Sequence, residues 1–185
     1  GTGIAVGAEG TYLRSVNGGS SWEGGTFPSK VKMLDIATLG DGCWIAVGDQ
    51  ETMFRSCDDG VSWKQVDFGT IEDFKTDFLS VRFFNMRTGW ATGSRGTIIY
   101  SEDGGQTWSK ARTNLFLPVA SIDFSSELNG MAVAPEGTVL VTNNGGRTWT
   151  NLPKVTDVGV MDVAAINSKL QWVVGHNGTI LRCDW

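Results

Sequence analysis

Asp58, Asp103, His176, three cysteines and two tyrosines carry the side chains whose chemistry must be weighed first in this 185-residue chain. Asp58 and Asp103 could act as general acid, general base or metal ligand. Each lies in a phrase that occurs four times: Ser15-Val-Asn-Gly-Gly-Ser-Ser-Trp22, Ser56-Cys-Asp-Asp-Gly-Val-Ser-Trp63, Ser101-Glu-Asp-Gly-Gly-Gln-Thr-Trp108 and Thr142-Asn-Asn-Gly-Gly-Arg-Thr-Trp149. Its residue types suit a turn. Asn17, Asp58, Asp103 and Asn144 can accept hydrogen bonds from backbone N–H groups a few residues on. Gly19, Gly60, Gly105 and Gly146 allow left-handed backbone after them. Ser21, Ser62, Thr107 and Thr148 can tie the turn back, and each Trp offers a large apolar face to bury.

His176 is the only histidine, in the turn Gly175-His-Asn-Gly178. A catalytic histidine needs a nucleophile and an orienting acid within reach. Its counterparts by repeat are Glu9, Asp49, Arg95 and Glu136, all in matching hairpins, so it reads as a solvated turn residue. Cys43, Cys57 and Cys183 lack the two-to-four-residue spacing of a zinc site and read as structural or incidental thiols. No metal or cofactor site is expected.

The elements that position these residues follow from a second phrase, anchored at Thr11, Thr52, Thr97, Thr138 and Thr179, at intervals of 41, 45, 41 and 41 residues. A fixed period of this length signals a repeat architecture. Between Phe78 and Arg112, Leu79, Val81 and Phe83 alternate with their neighbours at strand period. Trp90–Gly93 and Thr97–Tyr100 are further strands, with Ser94-Arg95 as a two-residue turn between Gly93 and Gly96. Trp108–Arg112 is the fourth. Four short antiparallel strands per unit make a propeller blade. The fold class is therefore all-β, a five-bladed β-propeller with blades near 1–28, 29–70, 71–114, 115–155 and 156–185. The first blade opens at its second strand and the last stops at its third. Some 20 residues ahead of Gly1 would complete a five-bladed ring at ordinary strand and loop lengths.

Composition excludes several classes. A net charge of −5 argues against a nucleic-acid surface, which needs clustered Lys and Arg. No apolar run has the roughly 18–20 residues of a membrane-spanning helix, so no membrane insertion is expected. With 25 Gly and 4 Pro and no collagen-like period, the chain is rich in tight turns.

The four-fold phrase resembles the Asp-box, or bacterial neuraminidase repeat, which joins the third and fourth strands of many propeller blades. In that family the box is a folding element, which gives its carboxylates a structural role. Sialidases also carry it, and their chemistry uses a Tyr–Glu nucleophile pair, an Asp and three Arg. Here Tyr12 and Tyr100 both fall on third strands. Arg14, Arg55 and Arg182 occupy one slot in separate blades, where the simpler reading is a strand residue with its head in water. The phrase from Gly89 to Trp108 and the segment from Trp172 to Arg182 more closely resemble the photosystem II assembly/stability factor family and its bacterial and phage relatives. That resemblance implies a non-enzymatic, extracytoplasmic scaffold that binds a protein partner. The alternatives are a glycan-binding module, given the surplus aromatics Phe74, Phe78 and Phe116, or a fragment of a sialidase-like glycoside hydrolase.

The box turns repeat nearly unchanged, whereas the hairpins at Glu9, Asp49-Gln50, Ser94-Arg95, Glu136 and His176-Asn177 vary. The 45-residue interval places a four-residue insertion within Lys64 to Phe78. Long, variable loops tend to carry function. A partner site is therefore expected around Glu72 to Phe78, Arg95 and His176, with Phe74 or Phe78 as apolar anchor. Phe78 also begins a strand, a place that would bury it.

Overall fold

The chain is described by a computed structural model over residues 1–68, 76–167 and 170–184. Among these residues, alternating and β-branched segments form 18 strands. The first blade holds β1 (Gly3–Val6), β2 (Thr11–Ser15) and β3 (Glu23–Thr26). The second holds β4 (Met33–Gly40), β5 (Cys43–Gly48), β6 (Met53–Ser56) and β7 (Lys64–Gln65). The third holds β8 (Phe78–Phe83), β9 (Gly89–Gly93), β10 (Ile98–Ser101) and β11 (Ser109–Lys110). The fourth holds β12 (Ser121–Phe124), β13 (Gly130–Ala134), β14 (Thr138–Thr142) and β15 (Thr150–Asn151). The fifth holds β16 (Val160–Asn167), β17 (Leu170–Gly175) and β18 (Ile180–Asp184). Every sheet runs in chain order with antiparallel neighbours, giving three, four, four, four and three strands. This is the all-β propeller expected, with incomplete first and last blades. The fourth strand of the third blade is shorter than its sequence pattern, pairing only Ser109 and Lys110 with Tyr100 and Ile99.

The inner strands β4, β8, β12 and β16 lie side by side along the axis. Their outer edges would leave unpaired N–H groups, which aspartates satisfy. Asp35 accepts from its own neighbour Ile36 N at 2.9 Å and, across the seam, from Ser80 Oγ at 3.0 Å and Val81 N at 2.9 Å. Arg82 Nη1 adds an ion pair to the same carboxylate at 3.2 Å. Asp123 accepts from Phe124 N at 2.9 Å and Ala165 N at 2.7 Å, and Asp162 from Ser121 Oγ at 2.6 Å.

The core is a series of seams between blades. On one face of each blade the strand residues Ile45, Val47 and Met53, or Met131, Val133 and Val139, point to the next blade. The alternate positions Phe54, Ile99 and Leu140 point to the preceding one, and all three are fully buried. Period-two alternation thus gives each strand two apolar sides, because each blade is sandwiched. Trp90 stacks on Phe124 across the third seam and donates its indole N–H to Gly145 O at 2.9 Å. On the outward sides of the first and fifth blades the same slots are open: Ile180 is 65% exposed and Leu13 is 49%.

Two expectations need correction. The hairpin of the third blade has Arg95 and Gly96 at its centre, with φ of 57° and 70°, so the turn lies one residue beyond Ser94-Arg95. Both central residues are left-handed, as a type I′ turn requires, and Glu9-Gly10, Glu136-Gly137 and Asn177-Gly178 do the same. Second, Cys43 and Cys57 are joined in a disulfide and are not free thiols. They are 14 residues apart in sequence, yet the antiparallel pairing of β5 with β6 brings their Cα atoms together.

Candidate partner-binding face

The propeller has two unlike sides, distinguished by which turns touch. On one side each box meets the turn between first and second strands: Gly18, Asp59, Gly104 and Gly145 donate N–H to Gly1, Gly42, Arg87 and Leu128 carbonyls. On the other, the type I′ hairpins meet the connectors between blades. A Cβ on Gly10, Gly96 or Gly137 would fall 1.9, 1.8 or 1.9 Å from the carbonyl oxygen of Ser29, Leu115 or Thr156.

All four boxes are built as their residue types predict. The opening hydroxyl accepts from the fifth residue: Gly19, Gly60, Gly105 and Gly146 N–H reach Ser15, Ser56, Ser101 and Thr142 at 2.8–3.1 Å. The same hydroxyl donates to the third residue, Asn17, Asp58, Asp103 or Asn144. That residue in turn accepts the N–H of Ser21, Ser62, Thr107 or Thr148. The Ser62 hydroxyl and amide, followed by the Ser56 hydroxyl, hold the Asp58 carboxyl down at about 2. Burial pushes Asp103 upward, but bonds from Thr107, Ser101 and Gln106 outweigh it and leave its pKa lowered. Both oxygens of each carboxylate thus accept hydrogen bonds from within their own turn. Trp63, Trp108 and Trp149 are buried beneath their boxes, while Trp22 is 45% exposed.

The arginine slot departs from the sequence reading. Arg14 and Arg55 are half-buried, and their Nε atoms donate to Asp59 O at 2.6 Å and Gly104 O at 2.8 Å, in the box of the following blade. Tyr12 packs on Phe27 and Trp63, and the Tyr100 ring lies beneath Arg147. Tyr12, Tyr100, Arg14 and Arg55 are thus engaged at separate seams. Among the described residues no group of three His, Cys, Asp or Glu could hold a metal ion.

The expected partner residues fare unequally. Glu72 and Phe74 lie outside the described residues. Phe78 is fully buried with Val81, Ala91 and Ile99, because it opens β8 against the second blade, so it is not an anchor. Arg95 is exposed at the tip of its hairpin and borders an open cleft of about 510 Å³ lined with Gln50, Glu51, Thr76, Asp77 and Ser94. His176 is exposed, its N–H bonded to Gly159 O at 2.9 Å; it stands two blades from Arg95, with Glu136 on the hairpin between.

Phe116, by sequence only a surplus aromatic, belongs to this face. It is 90% exposed, yet its connector is pinned on both sides to the Arg95 hairpin. Gly96 N donates to Leu117 O at 2.8 Å, and Thr113 Oγ1 donates to Gly96 O at 2.8 Å. Aligning connectors on Ser29, Leu115 and Thr156 places Lys30 and Asp157 at its slot. An aromatic residue where the other blades are charged was the available signal.

The family model described as photosynthesis system II assembly factor YCF48 matches residues 15–150. A solved structure titled YCF48 bound to D1 peptide superposes with a TM-score of 0.77 at 18% identity, covering 99% of this chain and 60% of its own. YCF48 from Cyanidioschyzon merolae superposes with a TM-score of 0.76 at 14% identity, covering 98% of this chain and 65% of its own. The chain thus spans less than two thirds of either structure. An ancestral GH74 enzyme matches with a TM-score of 0.65 at 17% identity over 82% of this chain, but only 22% of its own. No curated protein sequence matches. At these identities the superpositions speak to the fold, while the sequence match across all four boxes speaks to kinship: the chain belongs to the family of the photosynthesis system II assembly factor YCF48.

Proposed function

We propose that this chain is a non-catalytic propeller scaffold that binds a protein partner on its hairpin face, around Arg95 and Phe116. The observation that carries the reading is Phe116 itself. An aromatic side chain 90% in water, on a backbone held by hydrogen bonds on either side, is a preorganised apolar contact. Arg95 beside it supplies a cation, and aromatic and Arg residues are the usual energetic anchors of interfaces. The relative solved with a D1 peptide supports a protein segment as the partner class. An extracytoplasmic site of action is part of the proposal, supported by the Cys43–Cys57 disulfide, which persists in oxidising compartments.

Titration of a D1 peptide against the chain and against Arg95→Glu/Phe116→Ala tests this reading. Binding weakened tenfold or more in a variant of unchanged thermal stability supports it. Equal affinity in both proteins refutes the face assignment.

A second reading, glycan binding, rests on one cleft of about 300 Å³ between the fourth and fifth blades. Ser125, Asn129, Thr142, Thr148 and Thr150 line it, together with Gln171, whose buried Oε1 lacks a partner among the described residues. Hydroxyls and amides without a charge suit a neutral sugar. A glycan array with no binder on folded protein removes that reading.

A further inference from the structure

The second box departs from the other three in two ways. Its fourth residue is Asp59, at φ 59°, where Gly18, Gly104 and Gly145 stand at 70°, 75° and 73°. A side chain in left-handed backbone is strained relative to glycine. Its Trp63 Nε1 has no acceptor among the described residues, whereas Trp22, Trp108 and Trp149 donate to Gly19, Gly105 and Gly146. The turn is therefore the least self-sufficient of the four. It is also the one that carries the disulfide.

The bridge is placed to compensate. Cys57 lies two residues before Asp59, and Cys43 follows Gly42, whose carbonyl accepts Asp59 N–H at 3.0 Å. Disulfide and hydrogen bond clamp the same two segments. Asp59 O is in turn the acceptor of Arg14 Nε, 2.6 Å away, from the first blade. The geometry points to a redox latch: the Cys43–Cys57 bond holds the second box in its left-handed form and, through Asp59 O, holds the first blade to the second. A small dithiol opens it by exchange. Its thiolate attacks the sulfur of Cys57, an exposed residue, the S–S bond breaks, and Cys43 leaves as thiolate and takes a proton. The second thiol then closes the reductant's own disulfide and frees Cys57. Two cysteine thiols form and one dithiol is oxidised.

Hydrogen exchange on the intact chain, oxidised and after dithiothreitol, reads the latch residue by residue. In the reduced wild type, Gly60 and Ser62 N–H, which donate to Ser56 and Asp58, should exchange on the order of tenfold faster. The matching amides Gly105, Thr107, Gly146 and Thr148 should not change. Reduced Asp59→Gly should retain protection at Gly60 and Ser62, since glycine removes the strain the bridge restrains. Cys57→Ser without reductant should match the reduced wild type. Protection of the second box that survives reduction, or that is lost equally in Asp59→Gly, overturns the latch.

Discussion

Arg55 Nε donates to the carbonyl of Gly104 at 2.8 Å, so a strand residue of the second blade is fastened to the box turn of the third. Arg14 makes the same bond to Asp59 one blade earlier. The slot just before each box is thus a seam fastener. Arg55→Met keeps much of the stem and removes the donor, leaving Gly104 O unpaired. It should cost about 1–3 kcal/mol in denaturant unfolding.

Acid should act on the two boxes that hold carboxylates. Asp58 and Asp103 both have lowered pKa values in the folded chain. Their contribution is present above the ordinary carboxylate range and is lost as pH falls through the folded values, for Asp58 between 3.8 and about 2. Asp58→Asn/Asp103→Asn copies the Asn17 and Asn144 boxes and should flatten the fall in melting temperature across that window. A fall as steep as the wild type's would show that other carboxylates carry it.

Gly96 and Gly178 occupy the same left-handed turn position, at φ 70° and 71°, but in different surroundings. A Cβ at Gly96 would meet Leu115 O at 1.8 Å, and one at Gly178 would meet nothing within 4 Å. Gly178→Ala should therefore cost only about 1 kcal/mol of backbone strain. Gly96→Ala should cost clearly more and should also displace Phe116. Chemical denaturation of the two variants separates strain from collision.

Glu51 fills that turn position in the second blade, at φ 60°, following Gln50 at 56°. Two consecutive side chains in left-handed backbone are held here by Glu51 N to Thr76 O at 2.8 Å and Gln50 N to the Asp77 carboxylate at 2.9 Å. Glu51→Gly should stabilise the chain by about 0.5–1 kcal/mol, read as a rise in melting temperature.

Strands, blades and boxes were legible because each repeats. Four independent copies of Gly-rich turn plus Trp fix the strand order that one copy would leave ambiguous. The residues that misled were those whose fate depends on the neighbouring blade. Arg55 looks like a solvated strand residue until the next box is placed beside it. Phe78 reads equally as an exposed anchor and as the buried start of a strand until the second blade covers it. Cys43 and Cys57 have no telling spacing, because their proximity comes from antiparallel pairing rather than sequence distance. Phe116 stands out once connectors are aligned on the glycines they press against, a pairing that the structure supplies.

The hairpin face, not the box face, is the one proposed to meet a protein partner. A photoreactive benzoylphenylalanine placed at Phe116, or at exposed Gln106 on the third box, tests it in extract of the native host. Irradiation should yield a discrete protein adduct from position 116, lost on Arg95→Glu, and none from position 106. An adduct from position 106 alone, or one from position 116 that is indifferent to Arg95→Glu, would contradict the account.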